Sequence, residues 1–252
     1  MSLFVVDQEK CNRDGICVES CPVKIIELKD RSSVPTPVEY AEKLCINCGH
    51  CVAVCPEGAL SLKTMAAEQC PPVKNEWRLG PEQVEHFLRS RRSIRTYKEK
   101  SVEPDILEKL IDIAAFAPSA KNFQLVRWLV VKEKDEVRRL AGMVVDWMCY
   151  MKKEHPVTAR EMHLKSVIAA WDAGMDAVCR SAPHLIITHA SKKNHTAMVD
   201  CSIALTYLEL AAPSFELGAC WGGYFTAAAM NWPPLQKALG LPEGHAAFGA
   251  MM

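Results

Sequence analysis

A run of four cysteines, C-I-N-C-G-H-C-V-A-V-C-P from Cys45 to Pro56, constrains this chain more than any other feature. Two, two and three residues separate successive cysteines, and a proline follows the last one. This spacing is typical of iron–sulfur clusters held by thiolates, and in two-cluster proteins the fourth cysteine binds the other cluster. The run therefore predicts a second run of cysteines in the same chain.

The second run, C-N-R-D-G-I-C-V-E-S-C-P, begins at Cys11, 34 residues before Cys45. The glycine and the closing proline occupy the same positions in both runs. Among the ligand positions, Asp14 stands where the later run has Cys48. The two runs indicate an internal duplication.

With both runs in view, about the first 65 residues resemble a two-cluster bacterial ferredoxin. The resemblance implies that one cluster, of the 4Fe-4S type, is held by Cys45, Cys48, Cys51 and Cys21. It implies that the other is held by Cys11, Asp14, Cys17 and Cys55. A carboxylate is a harder donor than a thiolate. The second site is therefore either a 4Fe-4S cluster with Asp14 on a labile iron, or a 3Fe-4S cluster with Asp14 unbound.

Structural zinc and disulfides are the alternative uses of the 12 cysteines. A structural zinc site needs four ligands, but it would not explain the C-x-x-x-C-P endings or the duplication of the run. Disulfides are typical of short secreted chains, and this chain has 252 residues and no recognisable signal peptide. Iron–sulfur clusters are therefore the favoured interpretation.

The charge balance gives no support to two classes of partner. Lys plus Arg equals Asp plus Glu, at 30 each, so net charge gives no reason to expect nucleic acid or an anionic membrane as partner. The apolar residues Leu3 to Val6 are followed at once by Asp7, and the longest apolar stretch, interrupted by Glu209 and Pro213, is too short to span a bilayer. We therefore expect a cytoplasmic protein without a membrane partner.

Seven of the 12 cysteines lie before residue 56, which indicates two domains. A stretch with two prolines and no periodicity, Ala66 to Asn75, reads as the start of a linker. The local patterns predict the following elements: strands Phe4–Val6, Lys24–Leu28 and Ala59–Leu62, then helices Pro81–Ser90 and Glu103–Ala117, strand Val126–Lys132, helices Lys134–Met151 and Leu164–Arg180, and strand His184–His189.

Three polar motifs follow the linker: R-R-S-I-R-T-Y from Arg91, A-P-S-A-K-N-F-Q from Ala117 and L-G-A-C-W-G-G from Leu217. Guanidinium groups are fork-shaped donors that suit a phosphate. Taken alone, a basic cluster is more often a solvated surface, and W-G-G is more often a tight turn with a core tryptophan. The three motifs are informative because they occur together and in this order.

In that order, the motifs resemble the nitroreductase family of FMN-dependent oxidoreductases over residues 80–252. The resemblance implies an α+β protein in which a small ferredoxin-like domain, 1–65, and a linker, 66–79, precede an α/β/α sandwich with a mostly antiparallel sheet, 80–252. It also implies a homodimer. The FMN phosphate would be held by Arg91, Arg92, Ser93 and Arg95, the isoalloxazine ring would lie on Trp221, Gly222 and Gly223, and the other subunit would contribute Pro118, Ser119, Ala120 and Asn122.

Two features depart from a simple flavoenzyme. Family members continue past the last strand with a Gly-Tyr-Pro turn, further basic residues and an arm around the partner, whereas this sequence stops at Met252. We therefore expect either a truncated chain or a missing tail. No G-x-G-x-x-G follows a strand, so no dedicated Rossmann site for NAD(P)H is expected, and no catalytic residue is assigned.

A ferredoxin module joined to a flavin module would conduct electrons, because clusters pass single electrons and a flavin delivers two as a hydride. The leading hypothesis is an oxidoreductase that takes electrons from reduced ferredoxin or NAD(P)H and reduces a small electron-poor acceptor of the nitroaromatic or quinone type. One alternative is a non-enzymatic electron-transfer module that docks on a larger redox complex. Another is a redox sensor based on a labile iron at Asp14.

Overall fold

The computed structural model describes residues 2–30 and 32–252. These residues form two compact units. The first runs to Gly80 and also includes Lys121–Phe123, and the second comprises Pro81–Ala120 and Gln124–Met252.

The first unit contains two short antiparallel strand pairs and three one-turn helices. The pairs are β1 (Phe4–Val6) with β4 (Leu60–Leu62) and β2 (Ile26–Glu27) with β3 (Thr36–Pro37). The helices are α1 (Ile16–Glu19), α2 (Ala41–Leu44) and α3 (His50–Ala53). The strand predicted over Lys24–Leu28 is shorter than expected, because Lys24 has a positive φ of 53° and lies in a turn.

The duplication is visible in the backbone of the first unit. Helix α1 is preceded by Gly15 at φ 76° and helix α3 by Gly49 at φ 71°. Both glycines have the left-handed conformation that other residues adopt at a cost. Each cysteine run therefore bends at the same point and sends its next cysteine, Cys17 or Cys51, into the buried core of the unit.

The second unit is a three-layer sandwich around a three-stranded sheet. The sheet has the order β5 (Arg127–Val131), β6 (Leu185–Ser191) and β7 (His245–Met251), and both pairings are antiparallel. The helices are α4 (Pro81–Ser90), α5 (Pro104–Ala114), α6 (Lys134–Glu154), α7 (Pro156–Glu161), α8 (Leu164–Asp172), α9 (Ala197–Ala211), α10 (Gly223–Asn231) and α11 (Pro233–Ala238).

The central strand β6 is covered on both faces. Side chains alternate between the two faces of a strand, and here Leu185 and Ile187 join one core while Ile186 joins another. The first core is filled by α6, α8, α10 and α11, and the second by α5 and α9. The α+β class and the sandwich expected from the family resemblance are thus confirmed.

Several predicted bounds shift. The helix predicted from Leu164 ends at Asp172 instead of Arg180, because Gly174 adopts φ 85° and the following residues form turns. The helix Pro81–Ser90 has the predicted bounds. Within the described part of the chain, we find no helix of the length and apolarity that crossing a membrane requires.

Candidate functional site

Four cysteines from both runs lie together around one cavity. Its lining includes Cys21, Cys45, Cys48 and Cys51, with apolar walls formed mainly by Leu3, Phe4, Ile25, Ile26 and Leu62. The pKa of the Cys51 thiol is raised to about 11, first by burial and then by the neighbouring Cys48, Cys45 and Cys21. Cys21, which belongs to the first run, is therefore a neighbour of the second run, as the ferredoxin resemblance implies.

The second predicted set is also brought together. The pKa of the Cys17 thiol is raised, first by burial and then by the proximity of Cys55, Asp14 and Cys11. Asp14 is exposed, and its Oδ1 accepts a hydrogen bond of 3.0 Å from the backbone N–H of Ile16. This bond fixes the aspartate at the turn that leads into α1.

Backbone amides already point at one sulfur in each set. The N–H of Asn47 lies 3.4 Å from Cys45 Sγ, and the N–H of Ala59 lies 3.2 Å from Cys55 Sγ. Hydrogen bonds to a thiolate stabilise its negative charge and help to set the reduction potential of a cluster. These donors therefore suit sulfurs that act as cluster ligands.

Within the described residues, no three His, Cys, Asp or Glu side chains converge on a point where one metal ion could sit. A cluster differs from a single ion, since each thiolate binds a different iron and the ligands need not meet at one point. Four thiolates in an apolar cavity fit a 4Fe-4S cluster, and three thiolates with a carboxylate fit the second cluster.

Asn122, predicted as a flavin contact, has other partners. It lies in the segment Lys121–Phe123, which belongs to the first compact unit. Its Nδ2 donates to the carbonyl oxygen of Asn47 at 2.9 Å and to that of Ile46 at 3.3 Å. Both acceptors lie in the loop between Cys45 and Cys48.

In the second unit, two of the predicted flavin motifs are in direct contact. The N–H of Ile94 donates to the carbonyl of Ala219 at 3.0 Å, so R-R-S-I-R runs beside L-G-A-C-W-G-G. Gly218 permits this approach, because a Cβ at that position would lie 2.7–2.8 Å from three carbons of Ile94. Arg92 and Arg95 are exposed, and Ser93 is half-buried.

Glu209 connects the same two motifs. Its Oε1 is 2.9 Å from Arg91 Nη1, and its Oε2 accepts a hydrogen bond of 3.0 Å from Trp221 Nε1. Arg91, Arg92 and Glu209 line an open cavity of about 470 Å³, a volume typical of small-molecule sites.

The W-G-G segment is anchored to the sheet and still accessible. The N–H of Gly222 donates to Ala250 on β7 at 2.8 Å. A Cβ built on Gly223, the first residue of α10, would meet no atom within 4 Å. The backbone at the start of α10 can therefore be approached closely by a flat ring.

The A-P-S-A segment is held by a different part of α9. The N–H of Ala120 donates to Asp200 Oδ1 at 3.2 Å, and Thr196 Oγ1 donates to Asp200 Oδ2 at 2.8 Å. Ser119 Oγ accepts the N–H of Gln124 at 2.9 Å, and Pro118 precedes this turn. Asp200 and Glu209 are nine residues apart on one helix, which corresponds to about 13.5 Å.

A family model described as the nitroreductase family matches residues 88–252, which is more than half of the chain. The chain belongs to the nitroreductase family. A second model, described as a 4Fe-4S dicluster domain, matches residues 9–59 of this nitroreductase-family chain. Both resemblances drawn from the sequence are therefore confirmed.

Individual relatives agree with the two models. A protein of Methanothermobacter thermautotrophicus, provisionally named NADH dehydrogenase/NAD(P)H nitroreductase, is 27% identical over 138 residues, which cover 55% of this chain and 59% of that protein. The chain thus spans less than two thirds of this relative. An uncharacterised ferredoxin of Methanocaldococcus jannaschii is 39% identical over 69 residues, covering 27% of this chain and 42% of the ferredoxin.

The fold has solved counterparts. The crystal structure of a nitroreductase with bound FMN from Bacteroides fragilis matches 67% of this chain and 86% of its own, with a TM-score of 0.54 and 24% identity. At this identity, the likeness shows a shared fold.

Sequence reasoning about this nitroreductase-family chain missed Asp200 and Glu209 as site residues. Both are nearly fully buried, with 3% and 6% of their surfaces exposed. The available signal was an acidic residue within an otherwise apolar helix, since buried carboxylates require partners. A third buried polar residue, His184, is satisfied by the N–H of Val102 and the carbonyl of Lys132 and needs no ligand.

Proposed function

We propose that this chain is an oxidoreductase that passes electrons from two iron–sulfur clusters to FMN and on to a small, electron-poor organic acceptor of the nitroaromatic or quinone type. The proposal rests on one observation: two interleaved cysteine ligand sets occur in the same chain as a nitroreductase fold. In this proposal, residues 1–65 act as the ferredoxin domain, 66–79 as the linker and 80–252 as the FMN domain.

The chain's own groups would hold the clusters. Cys21, Cys45, Cys48 and Cys51 would ligate a 4Fe-4S cluster, and Cys11, Cys17 and Cys55 would ligate the other, with Asp14 at its open corner. The N–H groups aimed at Cys45 and Cys55 would stabilise the charge of the two thiolates. When bound, the clusters would supply one-electron steps, and FMN would deliver two electrons as a hydride.

The FMN site would be built from the motifs described above. Arg91, Arg92 and Arg95 would donate to the phosphate, and Ser93 would add a hydroxyl. Gly222 and Gly223 would line the isoalloxazine ring beside Trp221, with the open backbone at Gly223 allowing the closest approach. Pro118, Ser119, Ala120 and Asn122 would serve the site of the other subunit.

Exposed apolar residues support a homodimer. Helix α4 has no buried residue, and its Val84, Phe87 and Leu88 lie on one face and are exposed. On α9, Met198 and Tyr207 are also exposed. A second copy of the chain would cover these side chains.

Reduced ferredoxin and NAD(P)H are the proposed electron donors. The ferredoxin module supports the first, and the name of the Methanothermobacter relative supports the second. We place the protein in the cytoplasm, where a reducing environment would protect its clusters.

Metal, sulfide and flavin analysis of anaerobically purified protein tests the proposal, with EPR spectra before and after dithionite. About eight irons and one FMN per chain are expected if Asp14 binds iron, and about seven with an oxidised 3Fe-4S signal if it does not. Stopped-flow mixing of the reduced protein with a nitroaromatic or a quinone should then reoxidise the flavin. Zinc in place of iron, or no flavin, would overturn the proposal.

A further inference from the structure

Glu209 lies outside the three flavin motifs but contacts one residue in each of two of them. Its carboxylate is buried, whereas 37% of the Arg91 side chain remains exposed beside the open cavity. One oxygen of the carboxylate takes a single N–H of the Arg91 guanidinium, and the other takes the Trp221 indole N–H. A buried acid with two such partners is held in one geometry.

We propose that Glu209 is a positioning residue for FMN, fixing Arg91 for the phosphate and Trp221 for the ring; the inference rests on the proposed function. A guanidinium has five N–H donors, so one bond to Glu209 leaves donors for a phosphate. Because an arginine side chain loses considerable rotamer entropy when it is fixed, an arginine that is already braced binds an anion at a lower entropic cost.

The arrangement also links the two ends of the ligand. Arg91 lies in the phosphate motif and Trp221 in the ring motif, and the two segments are already joined by the bond from Ile94 to Ala219. A second link through Glu209 would fix the angle between the guanidinium and the indole. FMN, which has a phosphate, should benefit more from Glu209 than riboflavin, which lacks one.

The test compares FMN and riboflavin binding by flavin fluorescence, using full-length, cluster-loaded protein freed of flavin. We expect Glu209→Ala to weaken FMN binding by about tenfold and riboflavin binding by much less. Glu209→Gln keeps an oxygen acceptor but no charge, so its affinity for FMN should lie between those of the wild type and Glu209→Ala. A merely structural role would weaken both flavins equally.

A double-mutant cycle with Arg91→Ala isolates the route of the effect. If Glu209 acts mainly through Arg91, the double variant should bind FMN only slightly more weakly than Arg91→Ala alone, and this small difference is the contribution made through Trp221. Far-UV circular dichroism checks folding, and if Glu209→Ala does not fold, the cycle is run with Glu209→Gln.

Three outcomes would overturn the inference: FMN binding unchanged in Glu209→Ala, equal losses for both flavins, or additive effects in the cycle. A wild-type protein that binds neither flavin would instead overturn the proposed function, and the inference with it. The two failures are therefore distinguishable.

Discussion

Replacing Gly218 by alanine should push apart the two motifs that meet at Ile94. The added Cβ would lie 2.7 Å from Ile94 Cγ1 and 2.8 Å from both Cβ and Cγ2. A rotation of the Ile94 side chain cannot relieve all three contacts, because one of them involves its Cβ. The backbone of Ile94 would have to move, and its hydrogen bond to Ala219 would stretch.

The expected cost is that of overpacking. An extra methyl group in a well-packed core typically costs about 1–3 kcal/mol. Gly218 and Ile94 are both exposed, so we expect the lower end of this range, about 1 kcal/mol, which for a unit of this size lowers the melting temperature by about 2–4 °C. Gly218 does not have a positive φ, so the penalty is one of space and not of backbone conformation. Gly223→Ala is the matched control for stability, since its Cβ would meet nothing.

Urea unfolding followed by tryptophan fluorescence measures the effect. Five of the six tryptophans lie in the second unit, with only Trp77 outside it. Ile94→Ala would remove two of the three contacts, and Ile94→Gly would remove all three. The loss of stability caused by Gly218→Ala should therefore be smaller in the Ile94→Ala background than in the wild type, and smallest in the Ile94→Gly background. Each double variant is compared with its own single Ile94 variant. Equal stability of Gly218→Ala and the wild type, or no rescue by the Ile94 variants, would refute the reasoning.

Three further predictions concern other parts of the chain. Asp14→Cys should keep four irons at the second cluster in air, because a thiolate replaces a harder donor; iron analysis and EPR check this, and an unchanged oxidised 3Fe-4S signal would contradict it. The pKa of His189 in the folded protein is lowered by burial, then by His245 and Arg127. As the pH falls, the unfolded state therefore binds a proton before the folded state does, and the free energy of unfolding should decrease below about pH 6.5. Urea titrations at several pH values should show a shallower fall in His189→Gln, and equal slopes would count against a buried neutral histidine. Asp200→Ala should cost about 1–3 kcal/mol and speed hydrogen exchange at the Ala120 amide, with Asp200→Asn less affected; an unchanged exchange rate would exclude Asp200 as the anchor of that segment.

Most of the elements followed from local patterns, although several bounds shifted, and the neighbours of Cys51 and Cys17 followed from the ferredoxin resemblance. The ferredoxin resemblance implied that Cys21 leaves its own run, and Cys21 indeed lies beside Cys51. The helix from Pro81 was predictable because a proline begins it and an amphipathic pattern continues it.

The contacts of Glu209 could not be predicted in this way. Arg91 lies 118 residues before Glu209 in the sequence. The helical pattern of α9 indicates that an acidic residue interrupts an apolar face, but it does not indicate which residue is its partner. The partner is chosen by how α9 packs on the sheet beside the segment Ala219–Trp221. Asn122 illustrates the same limit, since nothing local in its motif indicates that its amide would bond to Ile46 and Asn47.

The exchange of cysteines between the two runs has a consequence for how the protein is made. Cys21 lies beside Cys51, and Cys55 lies beside Cys17, so in the proposed ligand sets each half of the duplication would supply three donors to one site and a single donor to the other. During synthesis, neither ligand set is complete until the second cysteine run has emerged from the ribosome.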